Sequence, residues 1–469
     1  MEFWKKQERP EKELFVTDRG EQITAADFET FQERLASCLI SRKLGLILCK
    51  NVPGSVMGYL TFLRNGVVPL LLDAKMQRKM ILSLLTQYDP DYIWCPRETL
   101  KEYLPEGICK FEGYRYSLIQ RKTKTKHTLH PDLALLLSTS GSTGSGKLVR
   151  LSYQNLQKNA ESIAKYLNLQ EEERPITTLP MNYTYGLSVL HSHRLVGATV
   201  LLTERSVFEK EFWDFLKKEK ATSISGVPYT YEMLKWMRFD RMDLPSLRTM
   251  TQAGGHLQSA LQREFGEYAL RTGRKFYIMY GQTEATARMT YLPPEKVCEK
   301  IGSIGIPIPG GSMELSEERE LIYRGENVSM GYATCRADLE KGDERDGILY
   351  TGDLGRQDSE GYFYITGRKK RFLKICGKRI QLDEVENRLQ ERFGETGFAC
   401  TGTDRELVIW MEESVRISEE EIKNNLEELL KINAQAFRVE KIREIPVNTN
   451  GKRDYKQLEK WGENARMKS

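Results

Sequence analysis

The chain has 469 residues, 40% of them apolar and 29% charged, with a net charge of +5. On a prior of ~100–200 residues per domain, this length implies two or three structural units of an ordinary soluble protein. So small an excess of positive charge gives no drive toward a nucleic-acid backbone, and no stretch reaches the ~18 uninterrupted apolar residues that cross a bilayer, so neither nucleic acid nor a membrane span is expected.

The N-terminus, MEFWKKQERPEKELF, lacks the apolar run of a secretion signal. The eight cysteines are scattered without a C-x-x-C pair, which points to reduced thiols and a cytoplasmic location. Apolar spacing predicts a helix over 25–40, a buried strand over Leu44–Cys49, a helix over 56–64 and a strand over 67–72. Strands alternating with helices imply an α/β fold with a mainly parallel sheet. The basic stretch 121–127 (RKTKTKH) reads as a solvated loop. His191 and His193 have no ligand cluster after them and read as structural, not zinc-binding. Beyond Gly302 glycines and charges punctuate shorter, strand-like runs. A basic segment, GRKKRFLKICGKR, then precedes amphipathic helices expected over 383–393 and 417–430. A boundary near Lys370 divides the chain into a domain of residues 1–369 and a smaller one of residues 370–469.

The strongest local signal begins at Leu135: LLLSTSGSTGSGK. An apolar run ends in serine, threonine and glycine and closes on Lys147. Small residues let the backbone approach phosphate oxygens, hydroxyl and N–H groups donate to them, and the lysine adds charge. The bland alternative is a flexible linker. Gly141 to Lys147 also fits the G-x-x-x-x-G-K core of a P-loop, but the next residue is Leu148, where that motif needs a hydroxyl for magnesium.

The same loop, with Thr139, Ser140, Gly141, Ser142, Thr143, Gly144 and Lys147, resembles the T-S-G-S/T-T-G-x-P-K loop of the adenylate-forming superfamily, with Gly146 in place of the usual proline. Three further segments resemble that superfamily in order. They are Tyr280-Gly-Gln-Thr-Glu284, Thr351-Gly-Asp353 with Gly361 to Arg368, and Asn450-Gly-Lys452; residues 66–73 (GVVPLLLD) add a looser likeness. The chain is thus similar to acyl-CoA synthetases, peptide-synthetase adenylation domains and luciferases over nearly its whole length.

The resemblance implies a large N-terminal domain of layered α/β subdomains and a smaller, mobile α+β C-terminal domain. It implies ATP-dependent activation of a carboxylic acid to an acyl-adenylate, with pyrophosphate released and the acyl group passed to coenzyme A or to the phosphopantetheine of a separate acyl or peptidyl carrier protein. Asp353 is expected to accept from both ribose hydroxyls, with Arg368 as a second contact, and Tyr280 to pack against adenine. Thr283 would donate to the α-phosphate. Glu284 would hold the Mg²⁺ that bridges ATP phosphates, since that ion takes oxygen ligands from one or two carboxylates plus phosphates. Lys452 would offset the negative charge that builds as the acid attacks phosphorus. Lys370 matches the family's hinge, and the loop 374–379, with Lys374 and Gly377, would line the thiol tunnel. Its neighbouring cations (Lys369, Lys370, Arg371, Lys374, Lys378 and Arg379) suit coenzyme A phosphates or an acidic carrier protein, or form a merely solvated face.

By the same likeness the acid pocket is built from residues 179–187 (with Asn182, Tyr183, Thr184 and Gly186), 225–228, and 253–256 with Gly254 and Gly255. Its neutral residues leave a substrate ammonium without a partner. An ordinary α-amino acid is therefore disfavoured, and an aryl, hydroxylated or medium-chain acid suits the pocket. Two alternatives stand beside this reading: a P-loop-type nucleotide hydrolase, and a non-catalytic nucleotide-binding protein on the same fold.

Overall fold

The structure is a computed structural model that describes residues 2–123, 128–138, 147–369, 371–375, 378–394, 397–447 and 453–466. Two large sheets dominate. The first has eight strands in the order Gly331–Ala333, Leu148–Ser152, Leu133–Ser138, Val68–Asp73, Leu44–Cys49, Tyr92–Pro96, Tyr116–Arg121 and Gly107–Gly113. Its four middle strands, Leu133–Ser138 to Tyr92–Pro96, are parallel, and hairpin-type partners flank them on both sides. The second sheet has nine strands, parallel from Ser223–Gly226 through Lys275–Tyr280 and antiparallel from there to Gly311–Leu315. The expected mainly parallel sheet is thus confined to the two sheet centres. Parallel neighbours need a crossover connection, usually an α-helix, and no α-helix lies between the strands from Thr290–Leu292 to Phe363–Arg368.

The sheets are held apart by two helices, Tyr153–Leu167 and Thr184–Val196. Leu156, Ala160, Leu187 and Leu190 pack with residues of the first sheet, while Ile163, Tyr166, Tyr185 and Val189 pack with Tyr277 and Met279 of the second. Each helix carries apolar residues on two faces, as a helix between two sheets must.

Capping places the helix ends that apolar spacing leaves open. The first helix starts at Ala25, where Thr24 and Asp27 form a capping box, and stops at Ala36, short of residue 40. Beyond it the Ser37 hydroxyl donates to the Arg34 carbonyl and the Ile40 N–H donates to the Tyr92 hydroxyl at 3.0 Å. Pro53 opens the second helix three residues earlier than apolar spacing implies, a first-turn position that needs no N–H. Ser418 and Glu421 box the start of Glu419–Leu430.

Residues from Leu373 onward form apolar clusters of their own around the strands Phe398–Thr403, Glu406–Glu412 and Phe437–Ile442 and the helix Leu382–Phe393. Arg121, placed by sequence in a solvated loop, instead ends a strand opposite Gly107 and pairs with Asp89 at 3.2 Å and Glu106 at 3.3 Å. His191 and His193 are buried: the Tyr59 hydroxyl lies 2.7 Å from His191 Nε2, and burial pushes that imidazole down to about 3. The seven described cysteines are unpaired. Among the described residues no helix is long and apolar enough to cross a membrane.

Candidate functional site

The strand Lys275–Tyr280 and the strand Ile348–Gln357 lie in one sheet, and this brings Tyr280 and Asp353 together. The Tyr280 hydroxyl donates to Asp353 Oδ2 at 2.5 Å, and Gln282 Nε2 donates to the same oxygen at 3.1 Å and to the Thr351 carbonyl at 2.9 Å. Arg368 stands opposite Asp353 on the neighbouring strand, with Nε 3.4 Å from Oδ1. One carboxylate oxygen is thus committed to protein donors, and the other faces only an exposed guanidinium. Burial raises the Asp353 carboxyl above its ordinary value, with Arg368 and the two side-chain donors opposing. Tyr280, expected against adenine, uses its hydroxyl to orient Asp353. Gln282, in a variable position of the motif, carries no chemical signature in sequence.

Glu284 lies in the single turn Thr283–Ala285. Its Oε1 accepts from the Tyr332 hydroxyl at 2.8 Å, and its backbone carbonyl accepts from the Ser329 N–H at 2.8 Å. The chain then reverses at Thr286, which has φ 65° and ψ −49°. The Ala287 N–H donates to the Ala285 carbonyl at 2.7 Å, closing a γ-turn. Positive φ is unfavourable for a β-branched residue and persists only where the surroundings enforce it. Here Thr286 Oγ1 donates to the Asn327 carbonyl at 2.7 Å, and Thr184 Oγ1 donates to the Thr286 carbonyl. Thr184, read from sequence as a pocket residue, therefore braces this turn. Gly281 admits the returning chain, since a Cβ there would overlap the Ala287 carbonyl. Thr283 is half-buried beside Glu284 and caps nothing, because Gln282 occupies the cap position.

Residues 139–146, with Thr139, Ser140, Gly141, Ser142, Thr143 and Gly144, lie outside the described residues. Their flanks are informative. Ser138 pairs with Leu148 across antiparallel strands, so Lys147 leads into a strand. A P-loop requires a helix N-terminus at that point, and the hydrolase alternative loses its structural basis. The Lys147 ammonium sits 3.4 Å from the centre of the Tyr332 ring, and the Arg345 guanidinium 4.8 Å from it. Together with Lys341 and Glu344 these residues line a cavity of about 450 Å³. Tyr332 and Arg345 had no motif to mark them.

The three segments assigned by resemblance to the acid pocket lie together. The Tyr185 hydroxyl lies 2.8 Å from Thr251 Oγ1, which lies 2.9 Å from Ser225 Oγ. Gly254, at φ 87°, passes so close to Tyr183 that an added Cβ would sit 2.5 Å from its hydroxyl. Gly255 lies against Pro228, and Gly186 against the Pro180 carbonyl. Asn182 is half-buried, and Tyr183 buried. His256 reaches solvent at the edge of this crowded cleft. The protein around it, and then the charge of Arg453, holds its imidazole below the ordinary value. Burial raises Glu232 on the neighbouring helix, Arg453 opposes, and Glu412 and Glu444 add to the rise.

Lys370, Gly377 and Lys452 lie outside the described residues. Much of the basic cluster is committed within the molecule. Lys369 pairs with Glu318 at 2.8 Å and Glu320 at 2.9 Å, and Lys378 donates to the carbonyls of Leu430 and Lys431 at the end of a helix, where a cation suits the helix dipole. Arg371 pairs with Asp383 and, at 2.5 Å, with Glu386. The broad cationic face read from sequence is therefore reduced, and Lys374 is exposed on it.

The geometry suits a nucleoside triphosphate: one buried carboxylate for adjacent hydroxyls, a second carboxylate beside a phosphate-loop lysine, and a polar, aromatic pocket next to both. The donor set also fits magnesium. Glu284 has Oε1 held by a tyrosine and offers Oε2, the single hard carboxylate oxygen that such an ion takes when phosphates supply the rest.

Comparison with known proteins agrees. A family model described as AMP-binding enzyme matches residues 3–333. A feruloyl-CoA synthase from Amycolatopsis sp is 32% identical over 284 residues, covering 58% of this chain and 56% of that protein. The match thus spans little more than half the length of that relative. A 2-succinylbenzoate–CoA ligase from Bacillus cytotoxicus is 26% identical over 416 residues, 84% of each chain. Among solved structures, the o-succinylbenzoate CoA synthetase MenE of Bacillus subtilis in complex with an acyl-adenylate intermediate superposes with a TM-score of 0.76 at 23% identity, covering 96% of both chains. ATP-bound MatB from Rhodopseudomonas palustris gives 0.78 at 20% identity, covering 98% of this chain and 97% of the other. These neighbours share the fold, a large N-terminal domain followed by a smaller C-terminal one.

Proposed function

We propose that this chain, which belongs to the AMP-binding enzyme family, activates a carboxylic acid with ATP and passes the acyl group to a thiol. In the first step the carboxylate oxygen attacks the α-phosphorus, the Pα–O–Pβ bond breaks and pyrophosphate leaves, giving the acyl-adenylate. In the second the thiol gives up its proton, its sulfur attacks the acyl carbon, and AMP leaves. The observation that carries this reading is the Asp353 cluster set beside Glu284. A buried carboxylate oriented by Tyr280 and Gln282 is suited to a ribose diol.

Asp353 Oδ1 and Arg368 take the ribose, Thr283 the α-phosphate, and Lys147 with residues 139–144 the outgoing phosphates. Glu284 holds magnesium, which neutralises charge on those phosphates when bound. Lys452 offsets the charge of the attack, a contact of a kind whose loss costs about 10²–10³-fold in rate. The adenylating domain spans residues 1–369, and the domain of residues 370–469 turns about Lys370 to bring the 374–379 loop to the thiol. Coenzyme A is the favoured thiol, because the relatives are coenzyme A ligases by name; a carrier-protein phosphopantetheine is the alternative. The tyrosine-lined pocket, and the aryl acids named in those relatives, support an aryl substrate. The chain works in the cytoplasm.

The test is acid-dependent exchange of pyrophosphate into ATP across aryl, hydroxylated and aliphatic acids, followed by AMP release on adding coenzyme A. Exchange that needs both an acid and Mg²⁺ is expected. ATP hydrolysis to phosphate, indifferent to any acid, would refute the reading.

A further inference from the structure

Arg288 is 2% exposed, four residues beyond Glu284, and has no ion pair with any described carboxylate. Its Nη1 donates to the Tyr166 hydroxyl at 3.0 Å and touches Met279 Sδ at 2.8 Å, its Nε has no partner, and its Nη2 donates to no described residue. The guanidinium stacks 4.7 Å from the centre of the Tyr185 ring. Tyr185 is the residue whose hydroxyl joins Thr251 and Ser225 in the acid-pocket segments, and its ring lies 6.3 Å from that of Tyr183. Arg288 therefore borders the acid pocket on its aromatic wall.

Every other deeply buried arginine described has an acid or a set of carbonyls around it. Arg150 meets Glu344 and three carbonyls, Arg194 meets Glu8, and Arg336 meets Asp91. Arg288 has a neutral hydroxyl, a thioether and a ring. Burying a charge costs far more than a cation–π contact and one neutral hydrogen bond return, unless an anion completes the site. The neighbourhood repeats the deficit. Asn159 donates to the Arg288 carbonyl at 3.0 Å while its own Oδ1 has no partner. His193 gives Nδ1 to the Val189 carbonyl at 2.8 Å and leaves Nε2 without one.

We infer that Arg288 is a specificity residue that receives a second anionic group on the acid, so that the substrate is a dicarboxylate, one carboxylate reacting and the other pairing with the guanidinium. The inference rests on the adenylation reading and sharpens its pocket. A guanidinium presents parallel donors that match a carboxylate edge to edge, and the Tyr185 ring beside it suits an aryl or short alkyl spacer.

The experiment uses the full chain and size-matched acids: adipate against its monomethyl ester and hexanoate, and 4-carboxyphenylacetate against 4-methylphenylacetate. Acid-dependent pyrophosphate exchange is measured for the wild type, Arg288→Met and Arg288→Lys. A site built around a buried polar partner rejects analogues that lack it by large factors. The diacid of at least one pair is therefore expected to exceed its neutral partner by about 10²-fold or more in kcat/KM. Arg288→Met should erase that ratio, and Arg288→Lys should keep part of it. If Arg288→Met fails to fold, the wild-type ratio decides alone. Neutral-tailed acids matching or exceeding diacids would overturn the inference and leave adenylation standing. No exchange with any acid, in protein that binds ATP, would overturn the adenylation reading and this inference with it.

Discussion

Replacing Tyr332 by phenylalanine removes one oxygen atom and tests how Glu284, the proposed magnesium ligand, is held. The hydroxyl donates to Glu284 Oε1 at 2.8 Å, and burial, reinforced by the glutamate, pushes the phenol up to about 12, so it stays a donor at neutral pH. The ring, which carries the Lys147 contact at 3.4 Å, is retained. A hydrogen bond to a charged group contributes about 1.5–3 kcal/mol, and loss of a partner that orients a metal ligand typically costs about 10–100-fold in metal affinity or activity. The Mg²⁺ concentration giving half-maximal ATP binding should therefore rise about tenfold or more in Tyr332→Phe. ATP affinity without Mg²⁺ should change little, because the Lys147 contact survives. Calorimetric ATP titrations at stepped Mg²⁺ would measure this, with pyrophosphate exchange as the second readout. A half-saturation within twofold of wild type, in a folded variant, would show that Tyr332 does not orient the ligand.

Other outcomes follow from the same geometry. As the proposed ribose ligand Asp353 is the stronger acceptor when ionised, and burial raises its pKa; nucleotide affinity should therefore begin to fall on acidification at a higher pH than an ordinary carboxylate would give. Asp353→Asn should bind nucleotide weakly and lack that limb, as a fluorescent ATP analogue titrated across pH would report. Lys452→Ala should slow adenylate formation by about 10²–10³-fold while ATP binding persists, and an unchanged single-turnover rate would end its assignment. His191, held neutral with its pKa pushed from 6.5 down to about 3, binds a proton more readily once unfolded. It therefore contributes stability that is present above 6.5 and is lost as pH falls from there toward 3, and His191→Gln should flatten that part of a denaturation series. Glu386→Gln should destabilise the C-terminal domain by about 3–5 kcal/mol in urea unfolding followed by Trp410 fluorescence; a loss under 1 kcal/mol would mean that its arginines find other partners.

The motifs that define the proposed nucleotide site were legible because they carry chemistry in residue type. Asp353, Glu284 and Lys147 are charged groups at fixed spacings, and the sheets bring them together. Their supports were not legible. Gln282 and Tyr332 act through a single side-chain hydrogen bond each, and nothing local distinguishes such residues from any other glutamine or tyrosine. Arg288 carries a charge, but one arginine among 71 basic residues becomes informative only when burial strips it of partners. Helix starts moved by a few residues where Pro53 and Ser418 overrode apolar spacing, while Thr24 capped the first helix at its expected start. The parallel-sheet expectation held where α-helices supply crossovers and failed where the chain returns antiparallel without one. The partners of the basic stretch before residue 380 were not legible, because sequence reports the charges and not the acids, Glu318, Glu320, Asp383 and Glu386, that the fold sets against them.

One buried carboxylate ties distant parts of the C-terminal domain together. Arg371 follows the proposed hinge at Lys370, and Arg453 follows the proposed catalytic lysine, Lys452. Both arginines end on the one buried carboxylate of Glu386, at 2.5 Å and 3.1 Å. The Tyr455 hydroxyl joins the same carboxylate at 2.9 Å, and its ring lies 3.5 Å beneath the Arg371 guanidinium. Glu386 also accepts from the Cys400 N–H at 2.6 Å, fixing the group to the domain's central strands. A rotation that begins at residue 370 is therefore carried through Arg371 and Glu386 directly to Arg453, without passing through the flexible stem of a surface side chain. In the proposed two-pose mechanism a turn at the hinge would therefore displace Arg453, the sequence neighbour of Lys452, in the same motion.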